Sequence, residues 1–530
     1  MQITDKDFVT ENQMIYLVLN RRDFEYDIYS LIKAFYSGSE IRVFDAWENI
    51  ESQEAETSLQ ESDPDTGSGW ELLFDVFFES EEALRSVSLR IFRQAEKEQP
   101  FITDSAMISE DMTRIRIKSA VKTLLYRALC DMTGRTLPWG DLTGIRPVKL
   151  AMSRILAGDT NAQTARFLRD VYHVSPQKSA LAVMIANKEK FLLDGMDYRN
   201  GYSLYIGIPF CPSICLYCSF SSSPISLWKS KTDDYLDALE KEMRGTRDLF
   251  SPKLLQTVYI GGGTPTTLSS GQLDRLLCMV EENFDLSQVK EFTVEAGRPD
   301  SVTEDKLKVL AAHGIGRISI NPQTMNQKTL DLIGRRHTVG QIEGTFHLAR
   351  ALGFENINMD LIVGLPGEGP EEVAYTMEKI GTLGPDSVTV HALALKRSSR
   401  LNEKLADYEA ISFQASDEIM DLTMRRNEER GLYPYYLYRQ KNMAGNFENV
   451  GYAVPGKECL YNILIMEEVQ SILALGAGGS TKLVYDDGLI ERIENVKDIK
   501  NYIERTDEMI ARKRNGTVKY HFSREDKGGN

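Results

Sequence analysis

Cysteine is scarce in this chain: six in 530 residues, alongside six His and four Trp. That excludes a disulfide scaffold. Basic residues are also in deficit, 62 Lys and Arg against 78 Asp and Glu, for a net charge of −16. Nucleic-acid affinity rests on clustered Lys and Arg, so no nucleic-acid partner is expected, and an anionic substrate has to be met by local basic residues. No apolar run approaches the length of a membrane span. The opening MQITDKDFVTENQ has neither the basic n-region nor the apolar h-region of a secretory signal. These absences predict a cytoplasmic protein without a membrane span. What is present, 42% apolar and 26% charged residues, is the balance of an ordinary globular protein, with length for about three domains.

The first part reads as a small α/β unit. MIYLVLN (14–20) and EIRVFDAW (40–47) are expected strands around a helix at 24–36. An acidic stretch at 48–69 reads as a solvated loop, with no Lys or Arg from 43 through 84. WELLFDVFF (70–78) and SVSLRIFRQ (86–94) alternate as a strand pair. Helical patterns follow at about 111–131 and 147–192, joined by a Gly- and Pro-rich connector. At Tyr202 the pattern changes. YSLYIGI, TVYIGGG, EFTVEA, RISINPQ, NINMDLIVG and SVTVHALA alternate with helical segments near 232–249, 271–284, 303–313, 326–352 and 371–382. Six βα units predict a parallel sheet or barrel with helices outside, and function at the C-terminal ends of its strands. Beyond 395 a helix at about 407–430, an aromatic loop and an α-rich end are expected.

Three of the six cysteines fall within eight residues, in PFCPSICLYCSF directly after the first of these strands. Cys211, Cys215 and Cys218 can hold three irons of a [4Fe–4S] cube and leave the fourth iron without a protein ligand. A zinc site lacking its fourth ligand, or three unrelated thiols, would give the same letters. Glu295 ends the third strand, Gln323 follows the fourth, Asp360 lies in the fifth and His391 in the sixth, so all point to one mouth. Gly261 to Thr264 end the second strand, where glycine lets backbone approach a ligand. Arg335 and Arg336 close a helical pattern, so helix-dipole capping competes with ligand binding. Lys396, Arg397 and Arg400 form a second basic group. YPYYLYRQ (433–440) reads as core packing or as a flat wall for a tetrapyrrole. His313 and His347 read as surface residues, and Cys130, Cys278 and Cys459 as buried thiols.

The ordered blocks YIGIPFCPSICLYCSF, YIGGGTPT, TVEAGRP, ISINPQTMNQKTLDLIGRRHT and MDLIVGLPGE resemble the oxygen-independent coproporphyrinogen III oxidase (dehydrogenase) family of radical S-adenosylmethionine (SAM) enzymes. The likeness spans about 200–480, and the N-terminal 200 residues, with TGIRPVKL, resemble its HemZ branch. The resemblance implies a partial (β/α)6 radical SAM barrel at 199–400. Around it would lie an N-terminal α/β domain (1–110), a helical connector (111–198) and a mostly helical C-terminal region (401–530). It implies a [4Fe–4S] cluster on Cys211, Cys215 and Cys218. It also implies SAM contacts from Tyr205, Tyr217, Gly262, Gly263, Thr264, Glu295, Gln323, Arg335, Asp360 and Ala392. The implied reaction removes hydrogen from the β-carbon of a propionate, then CO2 and one electron, leaving a vinyl group. Done twice, this converts coproporphyrinogen III to protoporphyrinogen IX in haem biosynthesis. A flavodoxin or ferredoxin would be the electron donor. Founding members carry a Cys where this chain has Phe220, and a His where it has Gly207; haem-chaperone relatives also lack that Cys. A haem-binding chaperone, or another radical SAM reaction on a tetrapyrrole, is the alternative.

Overall fold

The computed structural model describes residues 13–36, 38–50, 70–80, 84–109, 111–144, 146–394, 416–440 and 447–525. Most of the acidic stretch, Lys396, Arg397, Arg400 and the start of the helix expected at 407–430 lie outside the described residues. The chain forms two compact units. The first takes Met1–Pro147, Arg154–Val183 and Arg439–Phe447, and the second Val148–Ser153, Met184–Tyr438 and Glu448–Asn530.

Alternation builds the first unit. β1 (Met14–Leu19), β2 (Glu40–Phe44), β3 (Leu72–Ser80), β4 (Leu84–Arg93) and β5 (Ile102–Met107) form one sheet in the order β2-β1-β3-β4-β5. Successive side chains of a strand face opposite ways. Ile15, Leu17 and Leu19 therefore pack with Leu31 of α1 (Glu25–Phe35) and Leu125 and Leu129 of α2 (Arg114–Thr133). Tyr16 and Val18 face the other side, against Phe44, Trp70 and Phe92. β5 was not expected. Its sequence ITDSAM carries no apolar alternation, because it is an edge strand with three consecutive exposed residues.

The second unit holds the six expected parallel strands. β6 (Gly201–Ile208) leads into two short strands, β7 (Phe210–Cys211) and β8 (Ser223–Pro224), that pair with each other. Then come β9 (Leu254–Gly262), β10 (Glu291–Gly297), β11 (Arg317–Ile320), β12 (Ile357–Val363) and β13 (Ser387–Ala392). The region expected to be α-rich does contain helices, but it also contributes β14 (Tyr433–Tyr438), β15 (Asn449–Ala453), β16 (Ser471–Leu475), β17 (Ser480–Val484) and β18 (Ile490–Glu494). The sheet order is β14-β15-β13-β12-β11-β10-β9-β6-β16-β17-β18. Its ends do not pair among the described residues, so the six βα units form an open, partial (β/α)6 barrel. YPYYLYRQ, expected as a loop, is edge strand β14. Tyr favours strands, and Pro434 is tolerated because it sits on a sheet edge beside a register shift.

Of the outer helices, one expected at 326–352 is two. The first (Gln327–Leu332) ends at Ile333, Gly334 takes φ +78°, and the next (Val339–Ala351) starts at a Thr338–Gln341 capping box. The sequence period continues across the break, but the glycine turns the backbone and sends Arg335 inward.

The parity of the six strands is unusual. Leu204, Ile206, Val258, Ile260, Val294, Ile318, Met359, Val388 and Val390 are fully or almost fully buried on one parity. The other parity is polar and bonded across strands. Thr257 donates to Ser203 at 2.7 Å, Ser387 and Thr389 donate to Asn358 at 3.0 and 3.2 Å, and Arg317 donates to Ser387 at 3.1 Å.

The C-terminal helix is locked by charge to the outer helix Thr232–Thr246. Lys513, wholly buried, sits 2.7 Å from wholly buried Glu242. Glu242 also accepts from Gly476 N–H at 2.9 Å, Tyr502 OH at 2.6 Å and Asn495 at 2.8 Å. Removing one partner of a buried pair strands the other charge. Lys513→Met is expected to destabilise the fold by about 3–5 kcal/mol, read as a lowered urea midpoint.

Candidate functional site

Cys211 ends β7, and Cys215 and Cys218 lie in the loop that joins β7 to β8. Its start is fixed by the end of β9. Gly263 N–H donates to Ile208 O at 2.8 Å, and Thr264 N–H donates to Phe210 O at 2.7 Å. Gly263 has no room for a side chain, since a Cβ would stand 2.6 Å from Phe210 O and 2.9 Å from Ile208 O. Gly262, at φ +108°, takes a backbone conformation open chiefly to glycine. Thr264 Oγ1 donates to Cys211 Sγ at 3.6 Å. Farther along, Leu216 N–H donates to Ile333 O at 3.0 Å, and Cys218 N–H donates to Cys215 O at 3.2 Å. Tyr217 packs against Ile333, Ile362 and Leu365.

Burial raises the Cys211 thiol above its ordinary range and pushes Cys218 up to about 11. Without metal both are therefore neutral thiols at pH 7, and metal capture displaces their protons. Of the three other thiols read as buried, only Cys459 is; Cys130 and Cys278 are partly exposed.

Arg335 is not a helix cap. Buried at 5% exposure, it donates from Nη2 to Tyr217 OH at 3.1 Å and from Nη1 to Asn321 O. Its Nε has no partner. Arg336 is exposed, and both arginines line a cavity of about 590 Å³ beside Ser213, Ile214 and Leu216 of the cysteine loop.

Glu295 and Asp360, on the polar parity, are opposites electrically. Burial pushes Glu295 up to about 7, with the Asp360 charge adding to the rise, although Tyr259 OH donates to it at 2.5 Å. Burial also opposes ionisation of Asp360. There it is outweighed by His391, 3.9 Å away, and by the Asn358 amide donating at 2.7 Å, so Asp360 is held below the ordinary carboxylate range. Gln323 follows β11 at φ +68°, a strained position for a non-glycine residue. Its backbone is pinned to β12 by N–H to Asp360 O and by Ile362 N–H to its own carbonyl, both at 2.9 Å. Tyr205 stacks with Tyr259 and Tyr461 at centroid distances of 6.3 Å, and the latter two stack at 4.6 Å. Ala392 shares the parity of Val388 and Val390. It therefore offers the mouth only backbone, and its N–H already donates to Asn449 at 3.0 Å.

Gly263 and Thr264 thus touch the start of the cysteine segment and Arg335 touches Tyr217 within it, while Tyr205, Glu295, Gln323 and Asp360 lie on the polar parity or at the ends of the neighbouring parallel strands. Sequence reasoning passed over Tyr259, Arg298, Asn449 and Tyr461. Arg298 lay inside the quoted block TVEAGRP; the others needed the fold to bring them in. His313 is mostly buried rather than on the surface, bonded to Glu281 and Asp274.

The residues fit the implied groups. Three thiols without a fourth Cys or His in the loop suit a cube with an open iron. The unpartnered, buried Arg335 Nε and Ser319 Oγ are polar groups of the kind a bound ligand satisfies.

An open parallel barrel with this loop at its mouth defines a radical SAM protein, and the Radical SAM superfamily model matches residues 205–380. Such proteins use a [4Fe–4S] cluster and S-adenosylmethionine. The chain is 40% identical over 415 residues to the oxygen-independent coproporphyrinogen-III oxidase-like protein HemZ of Bacillus subtilis, covering 76% of this chain and 83% of that one. The heme chaperone HemW of Lactococcus lactis is 33% identical over 57% of this chain and 74% of its own. The oxygen-independent coproporphyrinogen III oxidase of Salmonella typhimurium is 30% identical over 58% and 65%. The chain belongs to the oxygen-independent coproporphyrinogen III oxidase-like family, alongside HemZ. No helix among the described residues is long and apolar enough to cross a membrane.

Because Gly263 leaves no space, Gly263→Ala is expected to displace Phe210 and with it Cys211. Iron content after anaerobic reconstitution should fall well below that of the unaltered chain, while far-ultraviolet circular dichroism stays the same.

Proposed function

We propose that this chain is an oxygen-independent oxidoreductase that decarboxylates propionate side chains of a coproporphyrinogen to vinyl groups. The observation that carries this reading is the convergence of the three-cysteine loop with Glu295, Asp360 and Arg335 at the mouth of a polar-lined barrel. Cys211, Cys215 and Cys218 hold the cluster. Arg335 suits the SAM carboxylate by charge-assisted hydrogen bonding, and Asp360, Glu295 and Gln323 suit its amino group and ribose hydroxyls. Tyr205, Tyr217, Thr264 and the backbone of Gly262, Gly263 and Ala392 complete that set. Bound together, cluster and SAM supply a radical able to take hydrogen from an unactivated carbon, chemistry beyond any side-chain acid or base. Tyr438, partly exposed and in ring contact with His391, is suited to one face of a flat tetrapyrrole. A flavodoxin or ferredoxin supplies the electron.

A second reading, a haem-binding chaperone, draws on the likeness to HemW and on Phe220, 73% exposed, at the position where the oxidases carry cysteine. Anaerobic incubation with SAM, a reductant and coproporphyrinogen III separates the two. The oxidase yields a tetrapyrrole lighter by two CO2 and four hydrogens, with deoxyadenosine formed in step. The chaperone binds haem stably and yields neither.

The raised carboxyl of Glu295 makes a further prediction. Below about pH 7 it is protonated and loses acceptor capacity; above, it is the carboxylate that ligand hydroxyls favour. SAM affinity is expected to strengthen as pH rises through 7, and Glu295→Gln to bind several-fold more weakly with a flat profile, read by equilibrium dialysis.

A further inference from the structure

We propose that Arg298 is a positioning residue that sets the reduction potential of the cluster bound by Cys211, Cys215 and Cys218. The proposal rests on the cluster reading above and not on the identity of the substrate. Arg298 follows the last residue of β10 and is 3% exposed. Asp300 holds two of its nitrogens in a fork, Nε to Oδ1 at 3.0 Å and Nη2 to Oδ2 at 2.7 Å. That leaves Nη1 aimed at the cysteine loop. It donates to Ser213 O at 2.9 Å and Ser213 Oγ at 2.8 Å, and lies 3.7 Å from Cys215 Sγ, within hydrogen-bond reach for sulfur. Behind the fork, wholly buried His337 stands 3.7 Å from Asp300.

A guanidinium cannot shed its proton, so this is a permanent buried cation beside the middle ligand of the set. Potentials of iron–sulfur clusters follow net charge and hydrogen bonds to sulfur. Reduction adds one electron from an external one-electron donor and therefore one negative charge at the site. A cation bonded to the ligand sulfur stabilises the reduced form more than the oxidised one and raises the potential. Arg298 also ties the loop backbone two residues before Cys215, so the same side chain places the ligand and polarises it.

The test is an electron-paramagnetic-resonance redox titration of the reconstituted full chain, with iron and sulfide assayed in parallel. Arg298→Gln is expected to keep its iron but, at a fixed potential, to show a reduced-to-oxidised ratio lower by about tenfold, which is about 59 mV for one electron. Arg298→Lys keeps the charge and is expected to recover part of that loss, which a purely structural role would not give. Arg298→Gln with full iron and an unshifted midpoint overturns the proposal. Should Arg298→Gln hold no iron, Asp300→Asn decides. It removes the compensating carboxylate behind an intact Arg298 and is expected to raise the midpoint; an unmoved midpoint there overturns the proposal equally. An unaltered chain that takes up no cluster overturns the cluster reading itself, and this proposal with it.

Discussion

The second unit depends on an inverted strand pattern. Its six parallel strands turn aliphatic side chains outward to the helices and polar ones inward, so the barrel interior cannot be filled by apolar packing. Buried polar groups have to be hydrogen-bonded, and along most of the barrel they satisfy one another. Ser203 and Thr257 pair, Tyr259 holds Glu295, and Asn358 accepts from Ser387 and Thr389. Toward the mouth this mutual satisfaction is incomplete. Ser319 Oγ and Arg335 Nε are left without partners, among the residues that the strand ends bring to the cysteine loop. Arg317 Nε, at the start of β11, is unpartnered as well, so what sets the rim apart is its place beside the cysteines rather than unsatisfied groups alone.

The rim is also electrically graded. Glu295 and Asp360 lie close enough for the charge of one to raise the other, and their surroundings resolve the conflict. Asp360 has His391 and Asn358 and stays ionised, whereas Glu295 has burial and a phenol and titrates near neutrality. One fixed anion and one conditional anion allow the rim to accept a cationic group without accumulating two buried negative charges. On the other side, Arg298 and Arg335 face the loop. A net acidic chain thus presents its cysteines with two buried cations.

Much of this was legible in the sequence because it is local. The six strands were readable from short β-branched runs, the cysteine loop from its spacing, and Glu295, Asp360 and His391 from their places at strand ends. Other features were not local. Arg298 matters through residues 83 and 85 positions earlier, and nothing in TVEAGRP announces that pairing. The break at Gly334 was hidden because both halves of 326–352 keep a helical period. β14 carries a proline, and β18, IERIE, sets its apolar residues three apart and leaves three of its five exposed, so neither shows the alternation of a half-buried strand. Ala392 could have been read better: two-residue alternation from Val388 already sends its side chain away from the mouth.

The C-terminal contributions explain how a site built largely within 205–380 acquires its second wall. Glu291, at the start of β10, accepts from Leu460 N–H at 2.6 Å and Tyr461 N–H at 3.3 Å, satisfying the first amides of the helix Leu460–Glu467. A carboxylate at a helix N-terminus is favoured by the dipole as well as by these bonds. The other end of the same strand carries Glu295, bonded to Tyr259, on which Tyr461 stacks. One strand therefore fixes the rim carboxylate at one end and, at the other, the helix that delivers an aromatic ring beside it. Asn449 does the same on the far side, receiving the Ala392 amide from the strand next to Tyr436 and Tyr438. These aromatics are thus registered to the rim carboxylates by hydrogen bonds from backbone amides to the Glu291 and Asn449 side chains, so remote segments help shape the barrel mouth.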